Sequence, residues 1–503
     1  MMKKALLFFS FSLFSIALAG QLKHDYNWVF GYPSSATPPY PDYGGTLLSF
    51  NDTIPEVSWF DIKFWLKAST VMSDAEGHLL FYSNGCEVMN WAHQLVENGD
   101  SINPGYIHDE FCDHGYPASQ GILALPWPGD STKYCLLHLR ADENYLYTDF
   151  LYTVMEFFNP SDSGKVLSKN QLITQGSYSA MITSVRHANG RDWWVLLPER
   201  FSNRIFIYLF DPSGISLVHE QIFGQVWTGD GVHQSVFSPD GTRYARVSAL
   251  NGINLYDFDR CSGLLSNHRF MDISQDTVYL STPTGLSFSP NNRFLYATVG
   301  YKLWQYDTWA ADIAASRKLV AYYDGYLDIG ILPTSFFQHM LAPDGKIYIV
   351  PPGGSTYLHV IHAPDSLGLA CNVEQRAVKL AAREYWGMPN MPYYNLYDVP
   401  GSPCDTLGID DPLTATQEPA GPGSSPAILY PNPTTSLLQV DFPTATTGTL
   451  RLLSISGVEL RSWQVRESSR ATLHLDELPA GLYFLQVPTT GGAVEVHKVV
   501  IER

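Results

Sequence analysis

Apolar and polar residues alternate along most of the chain, and one kind of turn interrupts the alternation at intervals. The clearest copies read Phe-Ser-Pro-Asp-Gly (237–241), Phe-Ser-Pro-Asn-Asn (288–292) and Leu-Ala-Pro-Asp-Gly (341–345). Proline followed by Asp-Gly or Asn supplies the backbone geometry of a tight turn between strands. An apolar run that predicts a strand follows each copy. The period of two, with little helical periodicity, predicts an all-β protein.

Looser copies of the turn occur at 73–77, 127–130 and 187–190, each again before an apolar run. The six copies are about 50 to 60 residues apart, which is the repeat length of β-propeller blades. Residues 244–273 contain four strand-like runs, as one propeller blade requires. The repeated turns resemble those of propellers with Ser-Pro-Asp-Gly turns. We therefore predict a β-propeller over residues 22–404.

The number of blades follows from the length of the repeat. Roughly 370 residues divided by a period near 54 give about seven blades, and six blades remain the alternative. Six blades carry turns, so the two ends of the domain should share the seventh. Residues 26–32, 45–50 and 57–65 can supply three of its strands, and residues 388–396 the fourth. Closure of this kind leaves no open sheet edge.

The composition changes after residue 404. Residues 405–426 are rich in Pro, Gly, Ser and Thr, which indicates a linker. Residues 427–503 again alternate, with short strands predicted at 437–442, 449–455, 471–475, 482–487 and 495–501. A small β-sandwich is the expected fold of this tail.

Four fragments of the tail occur in an order and spacing found in a known family. They are Tyr-Pro-Asn-Pro (430–433), Leu-Arg-Leu-Leu-Ser-Ile-Ser-Gly (450–457), Leu-Pro-Ala-Gly-Leu-Tyr-Phe-Leu (478–485) and His-Lys-Val-Val-Ile (497–501). The tail resembles the C-terminal sorting domain of type IX secretion substrates. The resemblance implies that the type IX secretion machinery is a partner, and that the tail is removed when the protein is released or attached to the surface. It also implies that the recognition surface includes Pro431, Asn432, Pro433, Gly457, Gly481 and Lys498.

The N-terminus predicts export. Two lysines precede an apolar stretch and an Ala-x-Ala pattern, so residues 1–20 are expected to be a signal peptide. No later stretch is long and apolar enough to predict a transmembrane segment. The net charge of -18 makes nucleic acid a poor partner, because a phosphate backbone would be repelled.

Six cysteines lie in the exported part of the chain, and disulfides are favoured outside the cell. Proximity along the chain favours Cys86 with Cys112 and Cys371 with Cys404. The second bridge would tie the end of the propeller back on itself. There is no Cys-x-x-Cys motif, which argues against the commonest redox and zinc-ribbon sites.

Residues 107–116 concentrate side chains that can bind a transition metal. The candidates are His108, Asp109, Cys112 and His114. Their spacing matches no recurrent metal motif, so a polar loop held by a disulfide at Cys112 is the favoured interpretation and no metal is predicted.

Two histidines, His233 and His339, precede the repeated turns on predicted inner strands. Alternation places them on the same faces as Phe237 and Leu341, so packing between blades or a position along the channel is expected. They are the candidates if the propeller is catalytic. Aromatic pairs at 193–194, 385–386 and 393–394, with Trp127, can either pack in the core or stack on a ligand.

Two functions remain open on the sequence. The favoured one is a secreted or surface binding module whose loops recognise an extracellular protein or glycan. The alternative is an extracellular hydrolase or lyase with its site at the channel mouth. No Walker A loop, nucleophile elbow or dinucleotide-binding fingerprint is present, so no cofactor is predicted and an enzyme is not favoured.

Overall fold

The computed structural model describes residues 22–35, 42–229, 233–276, 282–409, 427–454, 459–488 and 494–501. The chain separates into two compact units, one within residues 21–409 and the other within residues 410–503. The predicted signal peptide lies outside the described residues, as does most of the predicted linker.

The first unit is built almost entirely from antiparallel sheets. Sheets 1 and 2 have three strands each and consist of β1 (Asn27–Tyr32), β2 (Gly44–Ser49) and β3 (Glu56–Phe60), then β4 (Thr70–Ser73), β5 (Leu79–Ser83) and β6 (Val88–Asn90). Helix α1 (Tyr106–Phe111) and a 3-10 helix (Cys112–His114) follow within a long connection.

Sheets 3 to 6 have four strands each. In each of these sheets, strands that are consecutive in the chain pair with each other. Sheet 3 contains β7 (Ile122–Pro126), β8 (Lys133–Ala141), β9 (Tyr147–Glu156) and β10 (Lys165–Tyr178), and sheet 4 contains β11 (Thr183–Arg186), β12 (Trp193–Pro198), β13 (Arg204–Asp211) and β14 (Gly214–Ile222). Sheet 5 contains β15 (His233–Phe237), β16 (Arg243–Ser248), β17 (Gly252–Phe258) and β18 (Leu265–Met271), and a 3-10 turn (Ser274–Asp276) follows. Sheet 6 contains β19 (Thr284–Phe288), β20 (Phe294–Val299), β21 (Lys302–Asp307) and β22 (Lys318–Tyr322).

A short ribbon and a last four-stranded sheet complete the unit. The ribbon is β23 (Leu327–Asp328) with β24 (Leu332–Pro333), and sheet 7 contains β25 (His339–Leu341), β26 (Ile347–Ile349), β27 (Tyr357–Ile361) and β28 (Val373–Lys379), with a 3-10 helix (Gly368–Cys371) before β28. The unit is a β-propeller, as the sequence predicts. Seven sheets of three or four strands follow one another along its described residues. The number of blades, seven or six, stays a prediction.

The repeated turn joins the first two strands of a sheet and has a recurring set of hydrogen bonds. In sheet 5 the Ser238 hydroxyl donates to Asp240 Oδ1 at 2.5 Å and accepts the Arg243 N–H at 3.0 Å. In sheet 6 the Ser289 hydroxyl repeats both bonds, to Asn291 and from Phe294. The last turn residue has a positive φ, 71° at Gly241 and 63° at Asn292. Glycine and asparagine tolerate this conformation, which explains the Asp-Gly and Asn-Asn endings.

These turns define the two faces of the propeller. The turns between the inner and second strands, and those between the third and outer strands, lie on one face, which we call the lower face. The turns between second and third strands, and the connections to the next sheet, lie on the opposite, upper face. In sheet 1 the start of β1 belongs to the lower face, because the Ser73 N–H donates to the His24 carbonyl beside the β4–β5 turn.

Apolar residues fill the spaces between neighbouring sheets. Between sheets 5 and 6, for example, Val247 and Leu255 belong to the same buried cluster as Leu286 and Leu295, and all four are fully buried. Burial of this kind is the main stabilising contribution to the fold.

The prediction of a fourth strand at 388–396 is wrong. Residues 388–397 form no strand and instead run through the centre of the ring; we call them the channel segment. Pro389 and Pro392 have no N–H to donate to a sheet ladder, which explains why this stretch cannot complete sheet 1. The other predicted strands of that sheet are present at β1, β2 and β3, although β3 ends at Phe60.

The structure contains two disulfides. Cys86 pairs with Cys112, as predicted, with a Cα–Cα distance of 5.8 Å. The predicted pairing of Cys371 with Cys404 is wrong, because Cys404 is bonded to Cys261. Cys371 is a buried free thiol that packs with Phe294 and Tyr296 at the boundary of sheets 6 and 7. The channel segment leaves the ring near sheets 4 and 5, which brings Cys404 to Cys261 rather than to sheet 7.

The second unit is an antiparallel sheet of five strands. They are β29 (Ile428–Tyr430), β30 (Leu437–Leu453), β31 (Glu459–His474), β32 (Gly481–Pro488) and β33 (Val494–Ile501). The strands predicted at 437–442 and 449–455 are parts of one long strand, β30, whose register shifts between Asp441 and Thr446. Leu438, Leu450, Leu473 and Leu485 are buried in the common core.

Candidate binding cleft

The upper face of the propeller contains an open cleft of about 1010 Å³, which we call the upper cleft. Its walls come from Pro33, Ser35 and Tyr43 after β1, from the β3–β4 and β5–β6 connections, and from the segment of α1 and the 3-10 helix. The lining residues used below are Tyr43, Lys63, Trp65, Glu87, Asp113 and His114. A second recess of about 210 Å³ adjoins it at Tyr43 and is bounded by Ile329 and Ile331 of the β23–β24 ribbon.

Five rings between the two recesses form a continuous aromatic cluster, which consists of Tyr32, Tyr43, Trp65, His114 and Tyr385. Tyr32 is at its centre and its ring centroid lies 5.3 Å from Tyr43, 4.6 Å from Trp65 and 4.9 Å from Tyr385. Trp65 extends the cluster to His114 at 5.3 Å. Tyr32 is buried, whereas Tyr43, Trp65 and Tyr385 are half-buried and His114 is exposed. The cluster therefore presents ring surface to the cleft.

The wall beside this cluster is the segment that the sequence marks as a possible metal site. Helix α1 and the 3-10 helix carry His108, Asp109, Cys112 and His114, but Cys112 is in a disulfide and is not available as a thiolate ligand. His108 Nδ1 lies 3.2 Å from Asp109 Oδ1, so these neighbours interact with each other. Over the described ranges, no three His, Cys, Asp or Glu side chains are grouped as a metal site would need.

The disulfide fixes this wall to the body of the propeller. Cys86 lies in the β5–β6 turn, where the Asn84 side-chain oxygen accepts the N–H groups of Cys86 and Glu87 at 2.9 and 3.0 Å. The Ile102 N–H donates to the Cys86 carbonyl at 2.8 Å. The 3-10 helix is thus covalently joined to a well-bonded turn, and the cleft is preformed.

The centre of the ring is closed by amide side chains and the channel segment. Gln234 accepts the N–H groups of Leu286 and His339 at 2.9 and 3.1 Å and donates to the His339 carbonyl at 2.7 Å. Gln120 bonds to the backbone of Ser235 in the same way, at 2.7 and 3.1 Å. A cavity of only about 50 Å³ remains between the inner strands and the channel segment.

Asn390 is the residue that joins the channel segment to three sheets. Its N–H donates to the Ser69 carbonyl at 2.7 Å, and its side-chain nitrogen donates to the carbonyls of Ile122 and Ile182, both at 2.9 Å. Its side-chain oxygen accepts from Gln120 at 3.2 Å. The side chain is 6 % exposed, so these bonds are shielded from water.

The two histidines proposed for catalysis are both buried beside this closed centre. His233 Nε2 donates to the Ala180 carbonyl at 2.9 Å. His339 contacts Thr298 Oγ1 through Nε2 and lies 3.4 Å from Ser287 Oγ through Nδ1. Burial lowers the pKa of His339 to about 3, so its ring is neutral in the folded protein. The geometry fits structural histidines.

Of the seven aromatic residues singled out in the sequence, three are in the core and the other four are half-buried. Trp193, Trp194 and Tyr394 are at most 3 % exposed, and Trp127 lies on the lower face. Tyr385 belongs to the aromatic cluster. Trp65 and Tyr43, which line the cleft, were missed because they lie on irregular connections, where no sequence period marks a residue as facing a ligand.

Glu384 precedes Tyr385 of the aromatic cluster in the chain and is fully buried. Its Oε1 accepts the Ser355 N–H at 3.1 Å, and its own N–H donates to the Ser355 carbonyl at 2.9 Å. Burial raises the pKa of Glu384 to about 8, although nearby backbone N–H groups oppose the shift.

This pKa predicts a specific pH dependence. A carboxyl group whose pKa is higher in the folded than in the unfolded chain stabilises the fold at low pH, and the contribution is lost as pH rises toward 8. Between pH 6 and 9 the free energy of unfolding of the wild type should decrease because Glu384 ionises. In Glu384→Gln this decrease should be smaller by roughly 2 to 3 kcal/mol. Urea unfolding at several pH values measures it. Glu56→Gln, on an exposed strand end, should keep the wild-type dependence, and an unchanged slope in Glu384→Gln would refute the assignment.

In the second unit, the turn that contains Pro431, Asn432 and Pro433 is bonded to the last strand near Lys498. Asn432, between Pro431 and Pro433, donates through its side-chain nitrogen to the Lys498 carbonyl at 2.6 Å and accepts the Val500 N–H at 2.9 Å. The first turn of the tail is therefore bonded to its last strand. Gly481, the first residue of β32, pairs with Ile501, the last residue of β33. Gly457 lies outside the described residues.

Residues 428–502 match the family described as "Secretion system C-terminal sorting domain". The C-terminal unit is a type IX sorting domain. The sorting domain implies secretion or attachment to the cell surface, and interaction with the type IX machinery. Within the described part of the chain, no helix has the length and apolar character needed to cross a membrane.

Comparison with solved structures gives propellers among its matches, and the three structures described next have low identity to this chain. A functionally unknown protein from Desulfotomaculum acetoxidans has 13% identity and a TM-score of 0.39, over 73% of this chain and 99% of that chain. The Dos1 propeller has 11% identity and a TM-score of 0.40, over 71% and 82%. A gluconolactonase from Xanthomonas campestris has 11% identity and a TM-score of 0.31, over 66% and 94%. A search of curated proteins found no match.

Proposed function

We propose that the propeller is an extracellular binding module whose upper cleft takes a carbohydrate. The observation that carries the proposal is the aromatic cluster, in which half-buried rings of Tyr43, Trp65 and Tyr385 line an open cleft beside polar side chains. The flat faces of sugar rings pack against aromatic rings, and the hydroxyl groups of a sugar need polar partners at the rim. The disulfide between Cys86 and Cys112 supports this function, since it holds one wall in place before a ligand binds.

The alternative function, a hydrolase or lyase at the channel mouth, has less support. His233 and His339 are buried and bonded to neighbouring strands, and the channel segment fills the centre of the ring. A substrate would have to displace these contacts to reach either ring.

The course of the chain supports display of the cleft. The channel segment passes from Asn390, at the upper end of the ring, to the lower face, where the Val399 N–H donates to the Ala188 carbonyl at 2.9 Å. The propeller therefore leads into its linker from the face opposite the cleft. In the proposed route, the signal peptide directs the protein to the periplasm, the sorting domain takes it through the outer membrane, and removal of residues 427–503 leaves the propeller attached to the surface or released.

Binding should depend on Trp65. We expect Trp65→Ala to weaken the binding of a carbohydrate found on a glycan array by about tenfold or more. Burial of a large apolar side chain is worth about 1.5 to 3 kcal/mol, and about 1.4 kcal/mol corresponds to a tenfold change in affinity. Tyr43→Ala should weaken the same ligand. Titration calorimetry with the full-length protein measures both effects.

A matched control is available on the lower face. Trp309 is 60 % exposed, lies in the β21–β22 connection and contacts Arg293, so Trp309→Ala should leave the affinity unchanged. Loss of binding in Trp309→Ala but not in Trp65→Ala would move the site to the other face. An array with no carbohydrate bound by the wild-type protein would reject the proposed function.

A further inference from the structure

The upper cleft carries negative charge next to its aromatic surface. Glu87, Asp109 and Asp113 line it, and Lys63 is the lining lysine. Asp109 has His108 as a close partner, whereas Glu87 is half-buried and makes no ion pair with another described residue. A half-buried carboxylate without a cationic partner is costly to keep ionised, and a ligand that supplies the cation removes that cost.

The neighbours of Glu87 do not neutralise it. Burial, followed by the charge of Asp100, raises the pKa of Glu87, and Asp113 acts in the same direction. His108 and Lys63 oppose the shift without reversing it. The wall therefore keeps a surplus of negative potential.

The disulfide limits the separation of the two backbone segments that carry these acids, of which Glu87 is half-buried and Asp113 is exposed. Glu87 follows Cys86 and Asp113 follows Cys112, and the disulfide joins these two cysteines with a Cα–Cα distance of 5.8 Å. Repulsion between the two acids cannot be relieved by separating the β5–β6 turn from the 3-10 helix. A bound positive charge can relieve it.

The acidic wall also adjoins the aromatic cluster. His114 follows Asp113, and its ring lies 5.3 Å from Trp65. Glu87 and Asp113 line the same cleft as Trp65, so a sugar ring packed on Trp65 would lie in the cleft that contains both carboxylates. Aromatic rings and carboxylates together suit a ligand that combines a flat ring with a protonated amine.

We propose that the upper cleft selects an amine-bearing saccharide, such as a chain of glucosamine units, with Glu87 and Asp113 as the groups that recognise the protonated amine. The inference rests on the proposed carbohydrate-binding function and adds the charge of the ligand to it. The N-acetylated chain has the same ring and linkage but no charge, so it is the matched comparison.

The test uses titration calorimetry of the full-length protein with glucosamine hexamer and with N-acetylglucosamine hexamer, at a pH where the free amine is protonated. We expect the amine-bearing hexamer to bind at least tenfold more tightly. Glu87→Gln should weaken that hexamer by about tenfold, the scale of one lost charge-assisted hydrogen bond, and leave the acetylated hexamer unchanged. Asp113→Asn should act in the same direction. Glu56→Gln makes the same charge change outside the cleft and should have no effect.

The outcomes separate this inference from the function on which it rests. If both hexamers, or another neutral glycan, bind with equal affinity and depend on Trp65, carbohydrate binding stands and selection for an amine is refuted. Unchanged affinity in Glu87→Gln also refutes it. If hexalysine binds as tightly as the amine-bearing hexamer and Trp65→Ala does not affect it, the cleft recognises charge alone and the saccharide assignment is wrong.

Discussion

Replacing Asn390 with leucine should lower the free energy of unfolding by about 3 to 5 kcal/mol. The side chain is nearly the same size, so the loss comes from hydrogen bonds rather than from a cavity. The variant leaves the carbonyls of Ile122 and Ile182 and one N–H of Gln120 without their partner inside the ring. Each buried polar group left unpaired costs about 1 to 3 kcal/mol, and the added apolar burial of leucine offsets part of the sum.

Urea unfolding of the full-length protein, followed by tryptophan fluorescence, measures this loss. Asn395→Ala is the control, since Asn395 lies five positions further along the chain, is exposed, and accepts the Leu22 N–H at 3.3 Å. Its loss should be below about 1 kcal/mol. Equal stabilities for Asn390→Leu and wild type would mean that the channel segment is not held as described.

The sequence predicts the repeating part of this propeller well. The turns at 237–241 and 288–292 combine a proline, a side-chain hydrogen bond and a residue that tolerates positive φ, and each of these signals is local. The alternation of apolar and polar residues also predicts which face of each strand is buried. Local chemistry therefore suffices for the turns and most of the strands.

The centre of the ring depends on contacts that no local signal records. Gln234 bonds to His339, which is 105 positions away, and Asn390 bonds to Ile122 at a separation of 268. An apolar, proline-containing stretch such as 388–397 has the composition of an edge strand as well as of a channel segment. Only the closed ring decides between them, because it leaves a space that this segment fills.

In the candidate site, too, some features follow from local sequence signals and others depend on contacts between residues that are distant in the chain. The segment with Cys112 was identified by its unusual composition, and its disulfide to Cys86 by proximity along the chain. Trp65 and Tyr43 belong to different connections, and each of their rings contacts Tyr32 at the end of β1. Spacing along the sequence carries no information about these contacts. Asp113 lies in the stretch 107–116 that the sequence marks as a possible metal site, whereas no sequence signal identifies Glu87, and the structure places both in one cleft.

The disulfide between Cys261 and Cys404 has the largest expected effect on stability. It closes a loop with a sequence separation of 143, compared with 26 for Cys86 and Cys112. Because a crosslink restricts the unfolded chain more when its loop is longer, replacing both Cys261 and Cys404 with serine should lower the free energy of unfolding by about 5 kcal/mol. The same replacement of Cys86 and Cys112 should cost about 3.5 kcal/mol.

The site of this disulfide explains why its loss would be felt by the whole ring. Cys261 lies in the β17–β18 turn on the lower face, next to Arg260, whose guanidinium donates to the carbonyls of Arg186 and Tyr397. The crosslink and Arg260 thus hold the channel segment where it leaves the ring. Urea unfolding measures the loss in each double-serine variant. The reference is the non-reduced wild-type protein, unfolded in the same way. A smaller loss in Cys261→Ser/Cys404→Ser than in Cys86→Ser/Cys112→Ser, or a crosslinked peptide joining Cys371 to Cys404 in a non-reduced digest, would contradict this arrangement.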